Sequence, residues 1–245
     1  MKHKSAFINI IGNPNVGKSS LVNSFMDYKL SIITSKAQTT RHRIFCILNN
    51  ENFQFVFSDT PGLIEPKNKL HKSMMNFVKS SYDDADIIIY VVDASSEEII
   101  NQNFKLKLKS LSIPVIIVIN KIDLINNEKL DLLIEEIKND FTDTLIFPIS
   151  VKENFNIKTI LEKLENLSPI SPPYFPKDQI TDKPERFFVN EIIREKILKF
   201  YKKEIPYAVE VVTNSFKYSN KILKIDSIIY VERSTQKGIL IGHKG

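Results

Sequence analysis

The residues best suited to chemistry form a glycine, four further residues and then Gly-Lys-Ser, at positions 12–19 between an apolar run and a helix-like segment. In such a loop, backbone N–H groups surround the α- and β-phosphates of a nucleotide. Lys18 would reach the β- and γ-phosphates, and the Ser19 hydroxyl would bind Mg²⁺. A chance match is the alternative for this motif alone. The loop predicts nucleotide contacts from Gly12, Asn13, Pro14, Asn15, Val16, Gly17, Lys18, Ser19 and Ser20.

A second motif, Asp59-Thr60-Pro61-Gly62, closes the apolar run of residues 53–57. A carboxylate at a strand end can hold the metal through a water molecule, and the N–H of the glycine can meet a γ-phosphate. We therefore expect Asp59 to bind Mg²⁺ through water and Gly62 to sense the third phosphate.

A third motif, Asn120-Lys121-Ile122-Asp123, follows a β-branched run typical of a strand buried on both faces. An aspartate there can accept the N1–H and amino hydrogens of guanine, whereas adenine has no such donor pair. Asp123 is thus predicted to select GTP over ATP. Ser150-Val151-Lys152, after another strand-like run, is the weakest motif, and its backbone is expected to contact the guanine O6. A single acid such as Asp59 or Asp123 could be a solvated loop residue, but the ordered set of motifs favours the nucleotide site.

Between the first two motifs, a threonine should complete the Mg²⁺ shell and order a switch loop when GTP is bound. The segment offers the predicted switch residues Gln38, Thr39, Thr40, Arg41 and His42.

Three segments of the sequence resemble the Era group of GTPases. They are the phosphate loop from Asn13 to Ser19, the switch segment from Lys36 to Arg43, and the second motif from Asp59 to Leu63. This resemblance makes Thr40 the better candidate for the metal and Thr39 the second. It implies a catalytic set of Lys18, Thr40 and Gly62, with metal contacts from Ser19, Thr40 and Asp59.

Leu63 occupies the position where many signalling GTPases carry the glutamine that orients the attacking water. A leucine cannot hydrogen-bond, so we expect slow intrinsic hydrolysis. Backbone and switch groups could position the water, or a potassium ion bound through Asn15 could do so. A loop-stabilising amide is the equal alternative for Asn15.

The elements that must position these motifs alternate between apolar runs and helical patterns. An Asn-rich turn at residues 49–52 joins two neighbouring strands directly, which implies one antiparallel strand in a sheet otherwise built from crossovers. The predicted fold class is α/β, a P-loop NTPase G domain with a mostly parallel sheet and helices on both faces. The nucleotide is expected at the carboxyl ends of the strands.

Charge and proline positions divide the 245-residue chain. Residues 1–170 hold 20 Lys/Arg and 20 Asp/Glu, and residues 171–245 hold 14 and 9, so the net charge of +5 lies in the last third. Five prolines fall within residues 169–184 and oppose both helix and central strand. We predict a G domain at 1–168, a Pro-rich linker at 169–184 and a second domain at 185–245.

In the second domain, residues 191–201 predict a basic amphipathic helix. Its apolar face would contain Ile192, Ile193, Ile197, Phe200 and Tyr201, with Arg194, Glu195, Lys199, Lys202 and Lys203 largely elsewhere. Such a stripe most often packs on a sheet, but it can also lie on a membrane or face RNA.

The chain ends in Gly242-His243-Lys244-Gly245, the Gly-x-x-Gly pattern of a KH clamp for single-stranded nucleotides. A simple β-turn is the alternative. Segments from Thr181 to Arg233 resemble the C-terminal domain of Era in order and spacing. The resemblance implies an α+β KH-like RNA-binding domain that recognises the 3′ region of small-subunit ribosomal RNA, and a role in 30S subunit maturation. By that pattern the KH-like domain is expected to be incomplete, because the helix after the clamp is absent. Either the chain is a fragment or its RNA affinity is impaired.

The expected cofactors are GTP and Mg²⁺, with K⁺ through Asn15, and the expected partners are small-subunit ribosomal RNA and the 30S subunit. No apolar run approaches the length needed to span a bilayer, and the lone Cys46 cannot form an intramolecular disulfide. We expect a cytoplasmic protein with a reduced thiol. A membrane-recruited regulatory GTPase, peripherally bound at the inner membrane surface, is one alternative. A tRNA-modification GTPase is another, but its folate-binding domain and Cys-containing motif are not seen.

Overall fold

The computed structural model describes residues 2–97, 100, 102–219 and 221–243. Two compact units are present. The first contains Met1–Ser31 and Thr40–Asp182, and the second contains Ile32–Thr39 and Lys183–Gly245. A short segment of the N-terminal half therefore belongs to the second unit.

The first unit is built on a sheet whose described strands run in the order β2-β3-β1-β4-β5-β6. All neighbouring pairs are parallel except β2 and β3, which are antiparallel. This confirms the mostly parallel sheet with one antiparallel strand. The strands are β1 (Lys4–Gly12), β2 (Ile44–Asn49), β3 (Phe53–Asp59), β4 (Ile87–Asp93), β5 (Val115–Asn120) and β6 (Leu145–Pro148).

The helices of the first unit connect these strands, and local caps fix where two of them begin. The Asn68 side chain accepts a hydrogen bond from His71 N, and the Asn126 side chain accepts one from Lys129 N, so each satisfies a backbone donor of a first turn. The helices are α1 (Lys18–Met26), α2 (Lys69–Asp83), α3 (Gln102–Lys109), α4 (Asn127–Asp140) and α5 (Ile157–Leu167), with a 3₁₀ turn at Ile122–Leu124.

The central strands form the core of this unit. Residues 87–92 of β4 and 116–119 of β5 are buried throughout, as expected for parallel strands covered on both faces. Their polar residues come only at the carboxyl ends, where Asp93 pairs in register with Asn120. The core therefore leaves one edge of the sheet free for polar chemistry.

The Pro-rich stretch packs along the first unit. Tyr174 N and Phe175 N both donate to Gln54 Oε1, at 2.6 and 2.9 Å, and the Tyr174 ring stacks on Phe7. Cys46 on β2 is buried, and burial raises the pKa of its thiol well above the ordinary value. This thiol is therefore protonated at neutral pH.

The second unit contains a long helix against a two-stranded antiparallel sheet. Ile197, Ile205, Val209 and Val211 form its small core. Most of β8 is exposed, including Ile225 and Ile228. The elements are α6 (Glu185–Phe200), a 3₁₀ turn at Ile205–Tyr207, β7 (Val209–Ser219), β8 (Ile222–Val231) and α7 (Ser234–Ile241).

The face of α6 differs from the sequence prediction. Ile192 and Phe200, expected in the apolar stripe, are 54% and 77% exposed, whereas Arg194 and Glu195, expected outside, are each 3% exposed. Ile197 is buried as expected. The reason is that each buried charge has a partner on α6: Arg194 pairs with the buried Glu191, and Glu195 pairs with Lys199, whose side chain is exposed. No helix in the described part of the chain is long and apolar enough to cross a membrane.

Candidate guanine nucleotide site

The phosphate loop lies at the end of β1, between Gly12 and the start of α1. Gly17 has a φ of +100°, and a Cβ there would lie 2.2 Å from Asn120 Nδ2. Only glycine permits this backbone next to that amide. Asn15 also has a left-handed φ, of 64°. The loop therefore exposes the first backbone N–H groups of α1 at the edge of the sheet, where an anion is favoured.

Lys18 is buried inside this loop. In the structure its ammonium donates to the backbone oxygens of Gly12 at 3.0 Å and Asn13 at 2.8 Å. Burial lowers the pKa of Lys18 from 10.5 to about 8, and the nearby charge of Asp59 opposes this shift. The charged form of Lys18 is thus disfavoured by burial, and a bound phosphate would stabilise it.

The hydroxyl groups of Ser19 and Thr40 lie 3.0 Å apart. By contrast, the Thr39 hydroxyl donates to Lys36 O at 2.6 Å and is 2.6 Å from the Thr34 hydroxyl, within the second unit. The contact between Ser19 and Thr40 therefore favours Thr40 over Thr39 as the second hydroxyl of a metal site, and this role stays a prediction.

The Asp59 motif occupies the end of β3. Asp59 is buried, and the Thr60 hydroxyl donates to Ile10 O at 2.7 Å, which ties the motif to β1. A Cβ on Gly62 would lie 2.8 Å from the Cα and N of Pro14. Leu63 N donates to Gly12 O at 3.1 Å. The second motif thus packs directly against the phosphate loop. Pro61, another predicted nucleotide contact, precedes Gly62 in this motif.

The third motif is joined to the loop by Asn120. Its side-chain amide donates to Val16 O at 2.8 Å, and its carbonyl oxygen accepts from Val151 N at 3.2 Å. The Asn120 side chain therefore joins the phosphate loop and the segment after β6 to the end of β5.

Asp123 is oriented from the segment that follows β6. The Ser150 hydroxyl donates to Asp123 Oδ1 at 2.6 Å, and Lys152 Nζ lies 3.7 Å from Asp123 Oδ2. The hydrogen bond from Ser150 is the main reason that the pKa of Asp123 lies below its ordinary value. The sequence predicted a role for the backbone of this segment. The structure shows in addition that the Ser150 side chain orients Asp123.

Asp93, at the end of β4, was not singled out from the sequence. Its carboxylate pairs with Lys121 Nζ at 2.5 Å, and Lys121 has a left-handed φ of 65°. Burial raises the pKa of Asp93, but hydrogen bonds from Lys121 and Ser95 outweigh it, and the pKa lies below the ordinary value. The sequence signal that could have identified Asp93 is its place directly after the apolar run of residues 87–92, like that of Asn120 after residues 115–119.

The remaining switch residues divide between the two units. Arg41 is buried and the His42 ring lies 6.2 Å from that of Phe77, both in the first unit. Gln38, with a φ of 59°, belongs with Thr39 to the second unit.

The predicted RNA clamp begins where α7 ends. Gly242 N donates to Gly238 O at 3.0 Å, Gly242 has a φ of +77°, and a Cβ there would meet nothing within 4 Å. His243 is exposed. Lys244 and Gly245 lie outside the described residues. The first half of the pattern is therefore an open helix end.

Known proteins share both parts of this chain. Residues 7–121 match the family described as 50S ribosome-binding GTPase, and residues 204–245 match the KH domain. A crystal structure of Era in complex with MgGDPNP and nucleotides 1506–1542 of 16S ribosomal RNA matches with a TM-score of 0.92 and 37% identity. The match covers 99% of this chain and 83% of that chain.

A variant of Aquifex aeolicus Era bound to GDP and AlF₄⁻ gives the same TM-score of 0.92 and identity of 37%, over 99% of this chain and 84% of that chain. Elongation factor SelB from Methanococcus maripaludis, with a TM-score of 0.51 and 21% identity over 92% of this chain and 42% of that chain, shares the fold alone. Fold and motifs thus define a P-loop GTPase with a KH domain. The chain belongs to the Era family, which confirms the resemblance, the fold class and GTP hydrolysis as the activity.

Proposed function

We propose that this chain is a Mg²⁺-dependent GTP switch whose second unit binds small-subunit ribosomal RNA during 30S maturation. The observation that carries the proposal is the Asn120 amide, which joins the phosphate loop to the base-recognition segment in a chain that also matches a KH domain. The Era structure bound to a 16S ribosomal RNA segment supports the choice of RNA.

The oxygen atoms at the phosphate loop suit Mg²⁺. Two hydroxyl groups, Ser19 and Thr40, lie 3.0 Å apart, and the buried Asp59 carboxylate follows β3 at the same edge of the sheet. Oxygen ligands are those that Mg²⁺ prefers. We assign Ser19 and Thr40 as direct ligands and Asp59 as a ligand through water. Bound Mg²⁺ would neutralise charge on the β- and γ-phosphates.

The chain's own residues would divide the remaining work as follows. The Lys18 ammonium would leave the carbonyls of Gly12 and Asn13 for the phosphate oxygens. Asp123, held ionised and oriented by Ser150, would accept the two guanine donors. The Gly62 N–H would sense the γ-phosphate. Leu63 supplies no hydrogen bond to the attacking water, so we expect slow hydrolysis without a partner.

Asn15 is the residue to test for a monovalent cation. Its left-handed backbone lies in the phosphate loop, and its amide oxygen is a ligand type that K⁺ accepts. We expect hydrolysis to be faster in K⁺ than in Na⁺, and the difference to disappear in Asn15→Ala, which removes the oxygen ligand. Equal rates in the two salts for the unsubstituted chain would assign Asn15 to loop stability alone.

For RNA, Gly242 and His243 stand at an exposed helix end, and the chain's excess positive charge lies beyond residue 170. A glycine permits close approach of the backbone to a sugar-phosphate chain. We propose that Gly242, His243, Lys244 and Gly245 contact RNA.

The experiment is binding of the chain to a single-stranded oligonucleotide from the 3′ end of small-subunit ribosomal RNA. A scrambled oligonucleotide is the control, and each is measured with GTP analogue or GDP at two salt concentrations. Sequence-specific binding that strengthens with the analogue supports the RNA switch. Sequence-blind binding that disappears with salt would contradict RNA recognition, because it reports only a basic surface.

Anionic vesicles belong in the same experiment, because a basic helix was also expected to permit peripheral membrane association. On α6, Arg194 is buried and would not be available to anionic lipid, whereas Lys196 and Lys199 are exposed. We expect function in the cytoplasm, and binding to vesicles in place of RNA would contradict the proposal.

A further inference from the structure

Helix α6 buries a pair of opposite charges that the nucleotide chemistry does not use. Glu191 and Arg194 lie one turn apart, and they are 6% and 3% exposed. Arg194 Nε donates to Glu191 Oε1 at 2.8 Å, and Arg194 Nη2 donates to Glu191 Oε2 at 2.7 Å. Two parallel hydrogen bonds hold the guanidinium in one orientation. A buried pair of this kind is weak evidence for stability, because desolvation offsets much of its attraction.

The guanidinium is directed at the backbone of the segment Ile32–Thr39, which we call the switch strap. Arg194 Nη2 also donates to Thr39 O, and Nη1 lies 3.5 Å from Gln38 O. Hydrogen bonds from a charged donor to a carbonyl are stronger than neutral ones. Glu191 therefore orients Arg194, and Arg194 binds the end of the strap.

The same helix binds the strap at a second point. Lys36 Nζ donates to Leu198 O and Tyr201 O, the carbonyl oxygens at the C-terminus of α6. Those oxygens have no partner inside the helix, and a cation there is also favoured by the helix dipole. The strap folds on itself through the Thr34 and Thr39 hydroxyls, 2.6 Å apart. Helix α6 thus binds the strap at two points, the Lys36 side chain and the carbonyl oxygens of Gln38 and Thr39.

The residue after the strap is Thr40, whose hydroxyl lies 3.0 Å from that of Ser19. The residue before it, Ser31, is fixed by Asn23, which accepts from Ser31 N at 2.9 Å and donates to Ser31 O at 2.8 Å. Thr39 directly precedes Thr40, the proposed metal ligand. Thr39 is also the last residue of the strap, so the second unit binds the chain up to the residue before Thr40. The Thr39 carbonyl is the atom that Arg194 holds.

We propose that Arg194, oriented by Glu191, is a positioning residue for GTP binding and hydrolysis: it fixes the Thr39 peptide and so sets the place of Thr40. This inference rests on the proposed role of Thr40 at the Mg²⁺ site. GDP has no γ-phosphate for the switch threonine to report, so loss of Arg194 should affect GTP and spare GDP.

The variants are chosen so that folding and positioning are separated. Arg194→Met alone leaves the Glu191 carboxylate buried without its partner, which is costly. The double variant Glu191→Met/Arg194→Met replaces the pair with apolar side chains and is expected to fold. Arg194→Lys keeps a buried cation that can reach one carbonyl. Arg186→Met, at an exposed position of the same helix, is the matched control.

The measurements are the dissociation constants for GDP and for a non-hydrolysable GTP analogue, the Mg²⁺ concentration for half-maximal hydrolysis, and the melting temperature. In the double variant we expect an unchanged GDP constant, about tenfold weaker binding of the analogue and a higher Mg²⁺ requirement. Arg194→Lys should recover part of the loss, and Arg186→Met should match the unsubstituted chain.

Equal loss of GDP and analogue affinity, or no change in either for a folded double variant, would overturn the positioning role. If the double variant does not fold, Arg194→Lys decides by the same ratio of analogue to GDP affinity. A failure of the proposed role of Thr40 is separate, since Thr40→Ala would then leave the Mg²⁺ concentration for half-maximal hydrolysis unchanged.

Discussion

The Ser150 hydroxyl donates a hydrogen bond to Asp123 Oδ1 at 2.6 Å, although the two residues follow different strands of the sheet. Asp123 comes after β5 and Ser150 after β6, and these strands are parallel neighbours. The orientation of the proposed guanine-binding carboxylate is therefore set by the strand next to its own.

Replacing Asp123 by asparagine should change base preference. An amide presents one acceptor and one donor group where the carboxylate presents two acceptors, so guanine loses a partner and xanthine gains one. We expect GTP affinity to fall by at least about 100-fold and XTP binding to appear, because unpaired polar groups in a binding site are costly. Competition with a fluorescent nucleotide measures both. Asp131→Asn on the exposed side of α4 is the control, and unchanged GTP affinity in Asp123→Asn would remove Asp123 from the base site.

Ser150→Ala should weaken guanine binding and make it sensitive to acid. The hydrogen bond from Ser150 is the largest cause of the lowered pKa of Asp123, so its loss raises that pKa. The ionised carboxylate binds guanine, and affinity is lost as the pH falls through the pKa. We expect about fivefold weaker GTP binding at neutral pH and a decline that begins at a higher pH than in the unsubstituted chain.

The measurement for Ser150→Ala is a GTP titration at several pH values between about 4.5 and 7. Ser80→Ala, on an exposed face of α2, is a matched control that should follow the unsubstituted chain throughout. Identical pH profiles for Ser150→Ala and the unsubstituted chain would contradict the role of this hydroxyl.

Lys18 should make nucleotide affinity fall in alkaline solution. Its pKa in the nucleotide-free chain is about 8, and phosphate favours the charged form, so above that pH binding requires proton uptake. We expect GDP affinity to be level near neutral pH and then to fall by up to tenfold per pH unit. Lys18→Met should bind weakly with no such slope. A level profile for the unsubstituted chain would show that Lys18 stays charged.

The same pKa predicts how stability changes. Lysine has its ordinary pKa of 10.5 in the unfolded chain and a lowered pKa of about 8 in the folded chain. Between these values the unfolded state binds more protons, so the contribution of Lys18 to the free energy of unfolding increases as the pH rises. A difference between the pH dependence of melting in the unsubstituted chain and in Lys18→Met measures this contribution.

Gly62→Ala should separate GTP from GDP. The added Cβ would lie 2.8 Å from backbone atoms of Pro14, so one of the two segments must move. We expect hydrolysis and GTP-analogue affinity to fall by about tenfold while GDP affinity changes less. Gly238→Ala is the matched control, because its Cβ meets nothing within 4 Å and alanine favours the helix. Equal effects on both nucleotides would contradict a γ-phosphate role for Gly62.

The sequence was sufficient for the sheet and for the motif residues at its edge. Runs of β-branched residues, such as β5, indicate strands buried on both faces, and the carboxyl ends of parallel strands meet at one edge. The sequence alone therefore predicts that the phosphate loop lies close to Asp59 and Asn120. The side-chain role of Ser150 could not be predicted, because a serine in a weak motif does not reveal whether its backbone or its hydroxyl is used.

The charges of α6 were placed wrongly for a physical reason. Amphipathic analysis assigns charged residues to solvent, but Arg194 is buried with a partner on its own helix and with a carbonyl 155 residues earlier in the chain. Periodicity within one helix contains no information about so distant a group. Only the folded second unit, which includes the switch strap, shows why these charges are buried.

The position of the strap in the chain has a consequence for biosynthesis. Residues 32–39 emerge from the ribosome long before α6, since Thr39 and Arg194 are separated by 155 residues. At ordinary translation rates this interval is roughly 10–30 s, while the first unit folds as its strands appear. During that time the strap has neither Arg194 nor the carbonyl oxygens at the end of α6 to bind. A newly made chain would therefore acquire its GTP-specific response last, after its phosphate loop and base pocket are already formed.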